Sequence, residues 1–204
     1  SIHISSPLIN EEASDVVQVL KGLGMDEKIK DENGRFVLID DPRFYPIYEY
    51  LVENDILLIG HQGEPRNCWL PLEKMTVDSD REYFKEHPEY HMYKNQDYPS
   101  YEEHIKARDN VLQRYPNLNY VGLHLFSMEW SLDEVAKRLE QFPNSKTDLA
   151  ERICHVQLQT IENREKVRDF FGIFFFIARD SLTNRLYVIG PDISSTKAIL
   201  FLYF

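Results

Sequence analysis

Three apolar runs in this chain each lead into a side chain that could bind a metal ion or transfer a proton. His61 follows the run ILLIG, His124 follows YVGL, and Asp180 follows FFFIA after one intervening arginine. In parallel α/β barrels the reacting groups lie at the carboxyl ends of the strands, which is where these three side chains are predicted to lie. Two imidazoles and one carboxylate at a common edge are suitable ligands for a catalytic divalent ion.

Two further candidates stand close to His61 in the sequence. Arg66 and Trp69 open the long connection that follows it. A guanidinium group there could hold a substrate carboxylate through two parallel hydrogen bonds, and the indole could form one wall of a pocket. Lys21, after the run VVQVL, could bind a substrate anion.

Each candidate also has a purely structural interpretation. His61 could be a hydrogen-bonded histidine at a strand end, and His124 a hydrogen-bonded histidine of the core. Asp180 could form an ion pair with Arg179, which precedes it. The arginine and tryptophan of the connection could serve only to pack it, and Lys21 could be solvated.

Several other polar residues are weaker candidates. His87 and His91 have the spacing of a metal-binding pair on a helix, but the proline between them favours a surface role. Glu129 could touch a substrate, although an acidic residue at a helix start is the simpler interpretation. Asp148 and His155 flank a predicted strand and its loop, where both could line the site.

The elements that would position these side chains alternate between strand and helix. Two capping boxes, Ser100 with Glu103 and Ser131 with Glu134, mark helix starts. The alternation predicts βαβ units and a parallel sheet, in which right-handed crossovers bring the carboxyl ends of the strands to one side. The predicted strands are 16–20, 56–60, 120–125, 145–149 and 174–178, and the predicted helices are 42–54, 101–115, 132–142 and 163–171.

The segment 62–99 is far longer than a usual connection between a strand and the next helix. Long loops in compact domains tend to carry function. We therefore expect this segment to cover the carboxyl ends of the strands, with a short helix of its own over 80–86.

Composition narrows the class of protein. The 204 residues fit a single domain, and a net charge of −11 argues against a nucleic-acid partner, since phosphate binding needs a basic face. Cys68 and Cys154 form no spaced motif, so they are expected to be free thiols in a reducing compartment. No secretory signal and no run of about 20 apolar residues is visible, which predicts a cytoplasmic protein without a membrane partner.

Longer blocks of the sequence resemble the metal-dependent amidohydrolase superfamily, in its amidohydrolase-related branch. Several blocks match in the expected order, so the resemblance is more specific than one short motif. The blocks are KGLGMD, DDPRFYPIYEYLVEN, LLIGHQGEPRNCWLP, EHPEYHMY, YVGLHLFSMEWSLDEVAKRLEQFPN, DLAERICHVQLQ and REKVRDFF.

The resemblance implies a TIM (β/α)₈-type barrel formed by a single domain, 1–204, in which five βα units are recognisable. It implies that His61 and Asp180 bind a divalent metal ion, which is expected to be zinc. His124 and Asp180 are then the catalytic residues, and Arg66 and Trp69 are expected, from their position beside His61, to bind the substrate. The implied activity is hydrolysis by a metal-activated water, and Arg66 alone predicts that the substrate is a small carboxylate-bearing molecule. A metal-dependent decarboxylase on the same site is the alternative.

One departure from the family pattern leaves a third interpretation open. The family's first strand carries a His-x-His pair that binds the metal, and no such pair occurs in this chain. A barrel that retains the scaffold without the metal would then have no catalytic role. Since an incomplete barrel exposes strand edges, association with a second copy of the chain is also expected to be favourable.

Overall fold

A mixed α/β fold with a parallel sheet is seen in the computed structural model, which describes residues 16–19, 29–61, 65–95, 97–174, 176–179 and 186–189. The four parallel strands lie in the order in which they occur along the chain. They are β1 (Val16–Val19), β2 (Leu57–Gly60), β3 (Tyr120–Gly122) and β4 (Ser145–Thr147). The predicted parallel sheet is therefore confirmed for these strands, whereas the described residues do not include a complete barrel.

Helices separate or follow the parallel strands, much as the alternating pattern predicts. Ser100 and Glu103 form the predicted reciprocal capping box, and the Ser131 hydroxyl accepts the amide hydrogen of Glu134. The helices are α1 (Tyr45–Glu53), α2 (Asp78–Glu86), α3 (Tyr101–Arg114), α4 (Leu132–Gln141), α5 (Ile153–Glu162) and α6 (Arg164–Phe174). A short 3₁₀ turn, Pro42–Phe44, precedes α1, which accounts for the earlier helix start predicted at 42.

The prediction of a parallel strand over 174–178 is wrong. Helix α6 continues through Phe174, and the strand that follows, β5 (Phe176–Arg179), pairs antiparallel with β6 (Leu186–Ile189) in a separate two-stranded sheet. A short apolar run fits a helix end and a strand equally well, so periodicity could not settle the boundary. The apolar run LYVI nearby supplies a local antiparallel partner, which the parallel prediction overlooked.

The main hydrophobic core packs the helices against the strands. Leu58 of β2 and Tyr120 of β3 are buried beside Leu51 of α1 and Ile105 of α3. Further buried members come from α4, α5 and α6, among them Val135, Val156 and Phe170. Burying a large apolar side chain contributes roughly 1.5–3 kcal/mol, so this core stabilises the packing of β2 and β3 against the helices.

The cover segment, residues 62–99, has a small core of its own in its described part. Helix α2 and several 3₁₀ turns bury Cys68, Met75, Phe84 and Met92 together. Trp69 packs against both this cluster and the main core, so it joins the segment to the rest of the fold. No helix within the described part of the chain is both long and apolar enough to span a membrane.

Candidate functional site

His61 and His124 come together at the carboxyl ends of neighbouring strands. Gly60 and Gly122 are paired residues at the ends of β2 and β3, so the histidines that follow leave the sheet at nearly the same level. Their ring centroids are 4.5 Å apart, with the ring planes inclined at 72°. Two of the three side chains expected at the site are thus adjacent, although 63 positions separate them in sequence (124 − 61).

The hydrogen bond behind His124 defines which nitrogen can act. Nδ1 of His124 lies 2.9 Å from the carbonyl oxygen of Ala150. A carbonyl oxygen can only accept a hydrogen bond, so Nδ1 carries the hydrogen and Nε2 carries the lone pair of the neutral ring. Any proton that this ring gains or loses while the bond persists is exchanged at Nε2.

His124 stands in a strained left-handed turn that begins directly beyond β3. The φ angles of His124, Leu125, Phe126 and Ser127 are 57°, 58°, 57° and 54°. Left-handed helical backbone costs roughly 1–2 kcal/mol per non-glycine residue, and successive residues seldom adopt it. Strain of this size persists only where surrounding contacts enforce it, and such strain is concentrated at functional sites.

The amide groups of the turn are bound by strand β4 and the residue after it. The His124 amide donates to Asp148 Oδ1 at 3.0 Å, and the Leu125 amide donates to the Asp148 carbonyl at 3.0 Å. The Phe126 amide donates to Thr147 Oγ1 at 3.1 Å. The last residue of β4 and the residue after it therefore satisfy three successive donors of the turn.

The carbonyl groups of the turn are bound from helix α3. The buried Arg108 guanidinium donates to the Phe126 carbonyl, and the Tyr101 hydroxyl donates to the Ser127 carbonyl at 2.5 Å. Leu125 and Phe126 are themselves buried in the main core. Hydrogen bonding and burial together offset the strain of the left-handed backbone.

Gly122 is required by the way in which the turn folds back on β3. A Cβ atom at this position would lie 2.4 Å from Cδ1 of the Phe126 ring. The ring thus occupies the space of a side chain at 122, and glycine allows the turn to close against the strand.

Asp148 joins the backbone of the turn to the loop that holds the imidazole. Its Oδ1 accepts the amide hydrogens of His124 and Ala150, each at 3.0 Å, and lies 3.9 Å from Nδ1 of His124. Asp148 is only 2 % exposed. Burial raises the pKa of its carboxyl group above the ordinary value, although the amide of His124 partly opposes this.

Glu129, two residues beyond the left-handed turn, is the most perturbed carboxyl group near the site. It is 1 % exposed, and its Oε1 accepts the Arg66 amide hydrogen at 2.8 Å. Burial raises the pKa of Glu129 to about 7, while the neighbouring His155 and Arg152 act in the opposite direction. Within the described residues, Oε2 of Glu129 has no hydrogen-bond partner.

A second buried contact attaches the cover segment to α5. Asp80 Oδ2 lies 3.3 Å from Nε2 of His155, which is 3 % exposed, and accepts a hydrogen bond from Asn67 Nδ2 at 2.8 Å. Although burial acts to raise it, the contacts with His155 and Asn67 bring the pKa of Asp80 below its ordinary value. The cover segment therefore meets residues beyond the carboxyl ends of both β3 and β4, at Glu129 and His155.

Arg66 and Trp69 lie in different surroundings. The Arg66 guanidinium lies 4.5 Å from the ring centroid of Trp130 and 3.9 Å from Oε1 of Glu102, and its side chain is 41 % exposed. Trp69 donates from Nε1 to the Pro99 carbonyl at 3.2 Å and packs against Tyr101. The exposed arginine can meet a solvent-borne carboxylate, whereas the indole of Trp69 has an evident packing role.

The remaining candidates either lie outside the described residues or lie elsewhere in the cover segment. Asp180 and Lys21 lie outside the described residues. The side chain of His87 is 45 % exposed, in line with the predicted surface role, but His91 is buried, with Nε2 2.8 Å from the Leu70 carbonyl, so the predicted surface role of His91 is wrong. Within the described ranges, no group of three or more His, Cys, Asp or Glu side chains is placed to hold a metal ion.

Sequence reasoning assigned no specific contacts to the buried polar residues behind the histidines. Asp80 was predicted only as the start of a helix, and the simpler interpretation of Glu129 was the same. Asp148 and His155 were expected near the site, but their partners Ala150 and Asp80 were not. The apolar residues before Glu129, in LFSME, are the one sequence signal that could have suggested its burial.

Comparison with known proteins identifies no family for this chain. No family model matches the sequence, and no curated protein matches it. A solved structure described as an uncharacterized TIM-barrel protein from Bordetella bronchiseptica is similar at 20 % identity with a TM-score of 0.36. The match covers 67 % of this chain and 34 % of that protein, so the chain matches about a third of its length.

Proposed function

We propose that the chain is a metal-dependent hydrolase of the amidohydrolase-related type that acts on a small carboxylate-bearing substrate. The observation that carries the proposal is the meeting of His61 and His124, whose ring centroids are 4.5 Å apart at the ends of two parallel strands. The strained turn that presents His124 supports it, since strain of this kind accompanies function more often than packing.

Of the two proposed metal ligands, only His61 lies within the described residues, and it suits a divalent ion. His61 offers an imidazole at a strand end, and imidazole nitrogen is a common ligand of zinc. No trio of ligands occurs within the described ranges, so the proposal relies on Asp180 as a further ligand. An ion held by these residues supplies Lewis acidity, which polarises an oxygen atom of water or substrate.

Each protein residue then has a distinct task. Asp180 is proposed to accept the proton of the attacking water. While Nδ1 remains bound to the Ala150 carbonyl, the Nε2 atom of His124 carries the lone pair of the neutral ring, so it takes up a proton and, once protonated, donates a hydrogen bond to developing negative charge. Arg66, which lies over the Trp130 ring and is partly exposed, is proposed to bind the substrate carboxylate. The indole of Trp69 is proposed to form one wall of the substrate pocket.

The test combines metal content with turnover. Purified protein is stripped with a chelator, refilled with zinc, and measured by elemental analysis and against a panel of small esters, amides and lactones that bear a carboxylate. His61→Ala should lose the zinc and nearly all turnover while its melting temperature stays close to that of the parent. His124→Ala should retain more zinc yet lose about a hundredfold or more in kcat, the usual size of a proton-transfer contribution.

His87→Ala is the matched control, because His87 has no part in the proposed mechanism and its side chain is 45 % exposed. It should retain both zinc and turnover. Release of carbon dioxide without hydrolysis would support the decarboxylase alternative. A parent that takes up no stoichiometric zinc would instead favour a barrel without a catalytic role and would refute the hydrolase.

A further inference from the structure

We infer that Asp148 is the positioning residue of His124, through one carboxylate oxygen that ties together the two backbone segments between which the imidazole is held. The inference concerns the same site as the proposed function and rests on it for its functional meaning. The positioning itself is a structural claim that can be tested without any substrate or metal.

The first segment is the backbone of His124 itself. Asp148 Oδ1 accepts the His124 amide hydrogen at 3.0 Å, at the residue where the left-handed turn begins. The Asp148 carbonyl oxygen accepts the next amide, that of Leu125, also at 3.0 Å. The position of the Cα atom that carries the imidazole thus depends on Asp148.

The second segment is the loop that receives the ring. The same Oδ1 atom accepts the Ala150 amide hydrogen at 3.0 Å, and the carbonyl group of Ala150 accepts the hydrogen of His124 Nδ1 at 2.9 Å. Asp148 therefore holds in place both the Cα atom that carries the imidazole and the Ala150 carbonyl that accepts the hydrogen of its Nδ1 atom. Keeping the acceptor in place selects the tautomer that leaves the lone pair on Nε2.

Thr147 provides an internal comparison. Its hydroxyl accepts the Phe126 amide hydrogen at 3.1 Å and donates to the Gly122 carbonyl at 2.6 Å, so it also stabilises the turn. None of these contacts involves the Ala150 loop or the imidazole ring. A residue that only stabilises the turn should alter stability without changing the tautomer.

The experiment measures the tautomer of His124 by the ¹⁵N and ¹³C chemical shifts of its ring. The full chain, labelled in histidine and stripped of metal, is studied at about pH 9, where free imidazole groups are neutral. His124→Gln identifies the signals of this ring among the seven histidines of the chain. The variants compared with the parent are Asp148→Ala, Asp148→Glu, Asp148→Asn and Thr147→Val.

The parent should show the hydrogen on Nδ1. Asp148→Ala, which lacks the acceptor, and Asp148→Glu, which displaces it by one methylene, should shift the population by up to about tenfold towards hydrogen on Nε2, the worth of one lost hydrogen bond. Asp148→Asn retains an oxygen that can accept both amides, so it should preserve the parent tautomer. Thr147→Val should preserve it too, at lower stability.

Retention of the parent tautomer in Asp148→Glu, or in Asp148→Ala where that variant folds, would overturn the inference. An equal shift in Thr147→Val would also overturn it, because the turn as a whole would then be responsible. Zinc uptake is recorded on the same samples. A parent that fails to bind zinc while the tautomer still depends on Asp148 refutes the proposed function and leaves the positioning role intact.

Discussion

The left-handed turn His124–Ser127 and the cover segment lie on the same side of the sheet but are attached by different kinds of contact. The turn is strained, and its first three amides are bound by Thr147 at the end of β4 and by Asp148, the residue after it. None of the described residues of the cover segment has a positive φ. Its attachments include two titratable side chains, Glu129 and His155.

This difference predicts that the turn is rigid, whereas the cover segment can open and responds to pH. Disturbing the turn should disturb the sheet, because the turn shares its hydrogen bonds with β4 and its apolar side chains with the main core. The cover segment has a small core of its own, so it can loosen while the sheet persists. Its attachment should also depend on pH, since the Arg66 amide binds Glu129, whose pKa is raised to about 7.

The largest loss of stability is expected from a substitution that fills the space between β3 and the Phe126 ring. Gly122→Ala should lower the free energy of unfolding by about 4 kcal/mol, because the new methyl group would overlap the buried Phe126 ring and force the strained backbone to move. Urea unfolding measures the change. Gly34→Ala is the control, since φ there is +77° but nothing lies within 4 Å of the added atom, and about 1 kcal/mol is expected. Equal losses would contradict a turn packed tightly on β3.

A smaller effect, confined to the cover segment, is expected from Asp80→Asn. The substitution removes the negative charge beside the buried His155 while preserving an acceptor for Asn67, and should cost about 2–3 kcal/mol. Hydrogen exchange should quicken in the cover segment and stay unchanged in β2 and β3. Asp78→Asn, whose side chain is 83 % exposed, should cost less than about 1 kcal/mol. Uniform acceleration across the sheet would show that the two regions open together.

Glu129→Gln should change the pH dependence of stability. The pKa of Glu129 is raised in the folded state to about 7, so its contribution to stability is fully present below about pH 4.5 and is lost as the pH rises through 7. Between pH 5 and 8 the parent should therefore lose about 2 kcal/mol that the neutral variant does not lose. Urea unfolding at both pH values measures the difference. Parallel stability curves for parent and variant would mean that Glu129 is not held in a charge-excluding environment.

The sequence was sufficient to predict those features that depend on local pattern and on parallel topology. Capping boxes located the starts of α3 and α4, and apolar runs located β2 and β3. Parallel strands that pair in chain order bring their carboxyl ends together, which is why His61 and His124 could be expected to meet.

Features that depend on distant partners were missed. The run YVGLHL predicts a strand through 125, but β3 ends at Gly122 because Thr147 and Asp148 bind the amides of a turn there. Helix α5 was missed because Arg152, the residue before it, makes no side-chain cap, so no start signal is visible. The burial of Glu129 likewise depends on a segment that precedes it by more than 60 positions, at Arg66.

The binding of the turn by β4 has a consequence for the order in which the chain folds. Strands β1, β2 and β3 each pair with the next strand along the chain, so the sheet can grow in the direction of synthesis. The turn after β3 has no such freedom, because its amides need Thr147 and Asp148, which are synthesised later. His124 can reach its observed position only after β4 has docked. A nascent chain that ends before residue 147 would therefore carry β2 and β3 but lack the geometry of the site.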